Sequence, residues 1–275
     1  MKINKIIDFL RIYKWYKNFL LFIPSILEFG IIATLTNIPL IVGFFLFSTT
    51  ASGLYIINDV MDKNRDKLHP EKKKRLVASG RIKTSTAMLI AILMISTFGI
   101  SLSYLSWIIF PYVISALLYS FILRNIPIVD CMGISLNSIL RLAIGYSIIG
   151  IYPNYALLSL LFFITMITSL SKRSREYIET KGESKYRDFF GNIPEQDIKL
   201  LSIVNLSAII ISLLFVASYL GIISSMILGI LIVRLELYLL YSPLKTGSFR
   251  TLIKDKPVVI MLLALLISIS IEVLL

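Results

Sequence analysis

Residues 39–66 read PLIVGFFLFSTTASGLYIINDVMDKNRD, an apolar run over 39–58 that leads directly into Asp59, Asp62 and Asp66. About 20 apolar residues suffice to cross a bilayer as a helix. The spacing of the three acids, i, i+3 and i+7, puts them on one face of a helix with 3.6 residues per turn. Like charges held that close repel unless a cation sits among them. Hard oxygen ligands on one face suit Mg²⁺, which retains waters and bridges to substrate phosphates. The segment that follows, His69-Pro70-Glu71-Lys72-Lys73-Lys74-Arg75, is densely basic. Acids at the end of a span followed by cations therefore predict a site for a metal-bound diphosphate at the membrane mouth. A solvated, acidic helix end beside a charged loop is the plainer alternative.

The rest of the chain has the composition of a polytopic membrane protein. It is 57% hydrophobic and 16% charged, with a mean hydropathy of +0.84. That is far from the balance of an ordinary soluble domain. Nine apolar stretches are long enough to span: about 18–36, 39–58, 84–104, 106–123, 132–150, 154–172, 199–219, 221–240 and 257–274. Short turns join most of them, which predicts an all-α bundle forming one domain over 1–275. The first apolar run lacks a small-residue cleavage site and reads as a permanent helix. Cys131 is the only cysteine and His69 the only histidine, which excludes an internal disulfide and a cysteine- or histidine-based metal site.

The net charge of +12 is placed by topology. Twenty-six of the 28 Lys and Arg lie in 1–17, 59–83, residue 124, 172–199 and 245–256. With nine spans these segments share one side, so the positive-inside rule predicts a cytoplasmic amino terminus, an external carboxy terminus and a cytoplasmic site mouth. Such basicity serves orientation and attraction to headgroups or phosphates, and nucleic acid is not an expected partner.

Residues 1–17 read as an amphipathic interfacial helix carrying Lys17 at its end. Glu28 lies about ten residues into the first span and is expected to face the bundle interior, because a charge at that depth is costly. Tyr119 and Arg124 put a phenol and a cation at the cytoplasmic end of the fourth span, a pattern an aromatic belt with an anchor explains equally well. Asp130, Asn137 and Arg141, spaced i, i+7 and i+11, form one stripe of the fifth span. A guanidinium at the depth of Arg141 requires carboxylates, phosphates or a wet cavity. Lys172, Arg173 and Glu176 share a face if the sixth span continues as a helix, and that face suits a phosphorylated polar ligand. A surface charge ladder is the alternative there.

The nine-span count and the Asn58-Asp59-x-x-Asp62-x-x-x-Asp66 pattern resemble the UbiA superfamily of intramembrane prenyl and glycosyl transferases. Within it the chain is most similar to the branch that moves phosphoribose onto a polyprenyl phosphate, the decaprenylphosphoryl-5-phosphoribose synthases. Four stretches carry the likeness: Arg11–Asn18, Asn58–Gly80 with His69-Pro70 and Ala78-Ser79-Gly80, Tyr119–Gly145, and Lys172-Arg173 with Glu176. The first acidic motif is common to the superfamily. Its ordinary prenyltransferases usually carry a second aspartate-rich motif after the sixth helix, and none is present here. Two positions depart from the pattern: Leu76 after Arg75 and Ile12 after Arg11 stand where the family usually has proline.

The resemblance implies a nine-transmembrane-helix UbiA-type bundle, with 59–83 and 172–199 as its active-site loops. It implies Mg²⁺ on Asp59, Asp62 and Asp66, and transfer of 5-phosphoribose from 5-phosphoribosyl 1-diphosphate to a polyprenyl phosphate. Lys172, Arg173 and Glu176 would act on the donor. Lys17, Asn58, Lys72, Arg75, Tyr119, Arg124, Asp130, Asn137 and Arg141 would line the substrates. A prenyl transfer to an aromatic or glycerol-phosphate acceptor is the second expectation, and a transporter or lipid-binding membrane protein the third.

Overall fold

The computed structural model describes residues 3–68, 72–126, 128–180 and 195–241, together with 260, 263, 264, 267, 268 and 271. Among these residues every regular element is a helix. Among the described residues four helices are long and apolar enough to cross a membrane: Ile12–Thr36, Ile38–Met61, Thr84–Ser103 and Val129–Ile149. Shorter apolar helices lie over Ile109–Asn125, Tyr155–Leu170, Ile203–Ala217 and Ile222–Val233.

The amino-terminal segment departs from a single interfacial helix. Helix α1 (Ile3–Phe9) stops at Arg11, which sits in the left-handed region at φ 52°, ψ 38°, and a 3-10 stretch then runs over Ile12–Phe22. Ile12 is compatible with that turn. A proline there would push Arg11 toward an extended ψ. Helix α2 (Ile23–Thr36) follows and is interrupted at Gly30, with φ 78°, ψ 172°. Glu28, expected to face inward, is exposed. The helix is broken two residues later at Gly30, so this stretch is not the continuous span on which its depth was reckoned.

Helix α3 (Ile38–Met61) is the axis of the first compact unit, which comprises residues 1–25, 34–126 and 140–153. Pro39 sits in its first turn, where a missing N–H costs nothing, and Asn37 caps it by accepting from the Leu40 N–H at 3.0 Å. Its side chains build two cores. Phe47, Ala51 and Leu54 pack with Leu21, Leu102, Ile109, Tyr112 and Ile144. Nearer the acids, Ile56 and Ile57 pack with Phe9, Leu76, Val77, Ala87 and Ala91. This unit also holds α1, the 3-10 stretch over Ile12–Phe22, α4 (Lys63–Leu68), α5 (Thr84–Ser103), α6 (Ile109–Phe121) and the later part of α7 (Val129–Ile149).

The segment 59–83, expected to be a loop, is largely structured. Helix α4 and a 3-10 turn at Lys72–Lys74 lead to Leu76, Val77 and Ala78, all buried. Gly80 then closes a tight turn at φ 74°, a conformation that favours glycine, and the Ile82 N–H donates back to the Leu76 carbonyl at 3.2 Å. Leu76, in the position of the family's proline, anchors this loop by burial.

The second unit comprises 26–33, 127–139 and 154–275. Its described elements include the middle of α2, the start of α7, α8 (Tyr155–Thr180), α9 (Glu195–Leu220) and α10 (Ile222–Tyr241). Cys131, Met166 and Leu170 form a buried cluster. Ser159 and Ser212 meet at 3.3 Å between α8 and α9, one of the small-residue contacts by which apolar helices approach closely.

Candidate active site

The acidic motif is divided by a bend. Helix α3 ends at Met61, Asp62 is its C-cap at φ −85°, ψ 0°, and α4 begins at Lys63. The Asp66 N–H still donates to the Asp62 carbonyl at 2.8 Å, so the turn is tight. Asp59 and Asp66 consequently converge on one partner while Asp62 faces another. Arg75 Nη1 donates to Asp59 Oδ1 at 3.0 Å and to Asp66 Oδ2 at 2.6 Å. Arg124 Nη1 donates to Asp62 Oδ1 at 2.5 Å and lies 3.4 Å from Asn58 Oδ1. Asn58 Nδ2 completes this half by donating to Asp62 Oδ2 at 3.0 Å.

Arg11 is the member of the site that sequence reading did not single out. Its guanidinium addresses both oxygens of Asp59, through Nη2 to Oδ1 and through Nε to Oδ2, the latter at 3.0 Å. Its side chain is only 3% exposed. Burial, with repulsion from Arg75, lowers its pKa to about 10, which leaves it a cation at neutral pH. The left-handed backbone at Arg11 is a strained placement for a residue with a Cβ. Phe9-Leu10-Arg11-Ile12 held the available signal, a lone cation among apolar neighbours at the head of a stretch that carries the family likeness, although Arg11 itself was given no role there.

Lys63 and Arg65 of α4 find other partners. Lys63 Nζ donates to Thr84 Oγ1 at 2.9 Å, and Arg65 Nη1 to Asn125 Oδ1 at 3.1 Å. These ties fix α4 to the start of α5 and to the turn after α6, so Asp66, 3% exposed, is held inward. Lys72 is exposed and Tyr119 half-buried.

A second polar network lies deeper along α3. Arg141 Nε donates to Asn18 Oδ1 at 3.3 Å and Arg141 Nη2 to Tyr112 Oη at 3.0 Å. Its guanidinium also stands 5.3 Å from the Tyr112 ring centroid, within cation–π reach. Asn18 Nδ2 donates to Ser48 Oγ at 2.9 Å, and Trp15 Nε1 to Ser52 Oγ at 3.0 Å. Gly145, one turn beyond Arg141, makes the approach possible: a Cβ there would stand 2.3 Å from the Leu21 carbonyl oxygen. Lys17 is exposed on the same 3-10 stretch. Asp130 and Asn137 are buried on the earlier part of α7, where Asn137 Nδ2 donates to the Gly133 carbonyl at 2.9 Å. Lys172, Arg173 and Glu176 belong to the last turns of α8, but their side chains lie outside the described residues, as do His69 and 181–194.

Does this donor set fit a divalent cation? Among the described residues no three acids converge on a single point. Asp59 and Asp66 do converge as a pair, with a positive nitrogen between them, and Asp62 offers a further carboxylate beside Asn58. All donors are hard oxygens, the ligands Mg²⁺ prefers. A cation shared by Asp59 and Asp66 fits this chemistry.

The sequence profile of the UbiA prenyltransferase family matches residues 21–181, more than half of the chain. The chain belongs to this family. The matched region includes α3, the acidic bend, Arg75, Arg124, Arg141 and all of α8. Protein y4nM of Sinorhizobium fredii is 34% identical over 179 residues, covering 61% of this chain and 33% of its own. The decaprenyl-phosphate phosphoribosyltransferase of Corynebacterium glutamicum is 28% identical over 179 residues, covering 62% of this chain and 53% of its own. The chain thus spans about a third of the first relative and about half of the second. Among solved structures, a UbiA homolog from Archaeoglobus fulgidus bound to GPP and Mg²⁺ superposes with a TM-score of 0.73 over 98% of this chain and 100% of its own, at 17% identity. The fold is that of the UbiA homologs.

Proposed function

We propose that this UbiA-family chain is an intramembrane transferase that moves 5-phosphoribose from 5-phosphoribosyl 1-diphosphate to a polyprenyl phosphate. The observation that carries this reading is the acidic cluster, Asp59 and Asp66 around one cationic nitrogen with Asp62 and Arg124 beside them. The choice of donor is supported by the C. glutamicum phosphoribosyltransferase and by the lack of a second aspartate-rich motif after α8.

In the reaction the ribose C1–O bond to the diphosphate breaks and a phosphate oxygen of the lipid bonds to C1. Pyrophosphate carries the bonding pair away. The lipid phosphate is already anionic, so no strong general base is needed. This suits a chain whose single histidine precedes Pro70. A divalent cation, expected to be Mg²⁺, held by Asp59 and Asp66 with Asp62 alongside, would neutralise charge on the leaving oxygens. Lys172, Arg173 and Glu176 are assigned to the phosphate and ribose hydroxyls of the donor. Lys17, Arg124 and Arg141 are assigned to the acceptor phosphate or the pyrophosphate. Asn58 orients Asp62, and Lys72, Arg75, Tyr119, Asp130 and Asn137 complete the substrate surface. We further assign nine spans in one working domain, a cytoplasmic mouth and amino terminus, and an external carboxy terminus, on the distribution of Lys and Arg.

Prenyl transfer from a prenyl diphosphate is the second reading. It is favoured by the A. fulgidus homolog, whose structure holds GPP and Mg²⁺. Mass analysis of lipid products decides between them when purified protein and polyprenyl phosphate receive either 5-phosphoribosyl 1-diphosphate or a prenyl diphosphate with an aromatic acceptor. A phosphoribosylated lipid is expected from the first mixture, and its absence beside a prenylated product from the second would reverse the assignment. Asp62→Ala and Lys172→Ala are each expected to abolish most of the transfer. Undiminished turnover would remove that residue from the mechanism.

A further inference from the structure

In the acidic cluster three guanidiniums balance three carboxylates: Arg11, Arg75 and Arg124 against Asp59, Asp62 and Asp66. The three arginines hold their partners differently. Arg11 is enclosed at 3% exposure and spans both oxygens of Asp59, the bidentate geometry that fixes a carboxylate's orientation. Arg75 keeps 27% exposure and sets a single nitrogen between Asp59 and Asp66. That nitrogen occupies the position a metal shared by the two acids would take.

We propose that Arg75 is an exchangeable latch. It holds Asp59 and Asp66 together in the metal-free chain, yields its place when a divalent cation arrives with a diphosphate, and then donates to that diphosphate. Arg11 stays on Asp59 throughout as a positioning residue. The inference rests on the metal-dependent transferase reading and adds the order of events to it.

Charge balance supplies the reason. A bare divalent cation entering a cluster whose carboxylates are already paired with arginines must expel a satisfied guanidinium and adds a double positive charge beside it, which is costly away from bulk water. A diphosphate entering with the cation offsets that charge. It also offers the displaced guanidinium paired oxygens, the geometry arginine binds best. Cation and diphosphate therefore assist one another, and by linkage the assistance is mutual.

The test uses the full chain in detergent with Mn²⁺ as probe and no diphosphate, binding being read by electron paramagnetic resonance. Arg75→Gln is expected to bind Mn²⁺ about tenfold or more tightly than the unaltered protein, within the usual range for coupled sites. Lys74→Gln, which removes an exposed neighbouring charge outside the cluster, is expected to leave the affinity nearly unchanged. Equal affinities for the unaltered protein and Arg75→Gln would overturn the latch, as would an equal gain from Lys74→Gln, because general charge screening would then explain the effect. A readout that needs no variant is modification by phenylglyoxal followed by peptide mass analysis. Mn²⁺ is expected to raise labelling of Arg75 several-fold while Arg11 stays protected, and unchanged labelling of Arg75 at saturating Mn²⁺ would sink the exchange. The double substitution Asp59→Asn with Asp66→Asn separates the two claims. If it leaves Mn²⁺ binding intact, the cation lies elsewhere and the metal-dependent reading fails with the latch. If it abolishes binding while Arg75→Gln matches the unaltered protein, only the latch fails.

Discussion

Asp59 is the residue on which the first unit's charges meet, since Arg11 and Arg75 both donate to it. Removing one side of a buried pair leaves the other charge enclosed and uncompensated, at a cost of about 3–5 kcal/mol. Asp59→Ala is therefore expected to lower the thermal stability of the detergent-solubilised protein as well as its activity. Combining it with Arg11→Met is expected to recover much of the stability and none of the activity, a separation that melting curves and product assays read together. Additive losses in the melt would mean that the pair does not act as a unit. Asp62 differs, being 18% exposed with Arg124 and Asn58 as its neighbours. Its loss is expected to cost activity far more than stability.

At the level of elements, two close backbone arrangements hold the networks in register. Gly145 lets α7 approach the 3-10 stretch over Ile12–Phe22, since an added Cβ would meet the Leu21 carbonyl at 2.3 Å. Backbone cannot swing aside as a side chain can. Gly145→Ala is thus expected to destabilise by at least about 1–3 kcal/mol and to separate Arg141 from Asn18. A melt unchanged by this substitution would show that α7 has room to move. The second arrangement is the left-handed turn at Arg11. Ile12→Pro would drive Arg11 toward an extended ψ and pull its guanidinium from Asp59. The expected result is a loss of stability close to that of Arg11→Met, and a neutral Ile12→Pro would mean the turn is not needed to aim Arg11.

At the level of the whole molecule, the distribution of charge makes a claim about orientation. Reporters fused at either end of the full chain are expected to report a cytoplasmic amino terminus and an external carboxy terminus, and both ends on one side would imply an even number of spans. The membrane class, the all-helical architecture and the UbiA family were legible from composition and from the 58–66 motif, because span length and carboxylate spacing are local properties of the chain. The acids' true grouping was not. Periodicity puts Asp59, Asp62 and Asp66 on one face only while the helix continues, and the C-cap at Asp62 ends it. Arg11 and Tyr112 were also hidden, since each finds its partner across a long separation in sequence: Arg11 at Asp59 and Tyr112 at Arg141. Leu76 read as a departure from a pattern and proves to be a core residue. By itself the sequence determined that this chain lives in a membrane with acids at the end of a span, since hydropathy and charge accumulate residue by residue. Which guanidinium faces which carboxylate was decided only by tertiary structure, because that depends on helices brought together from distant parts of the chain.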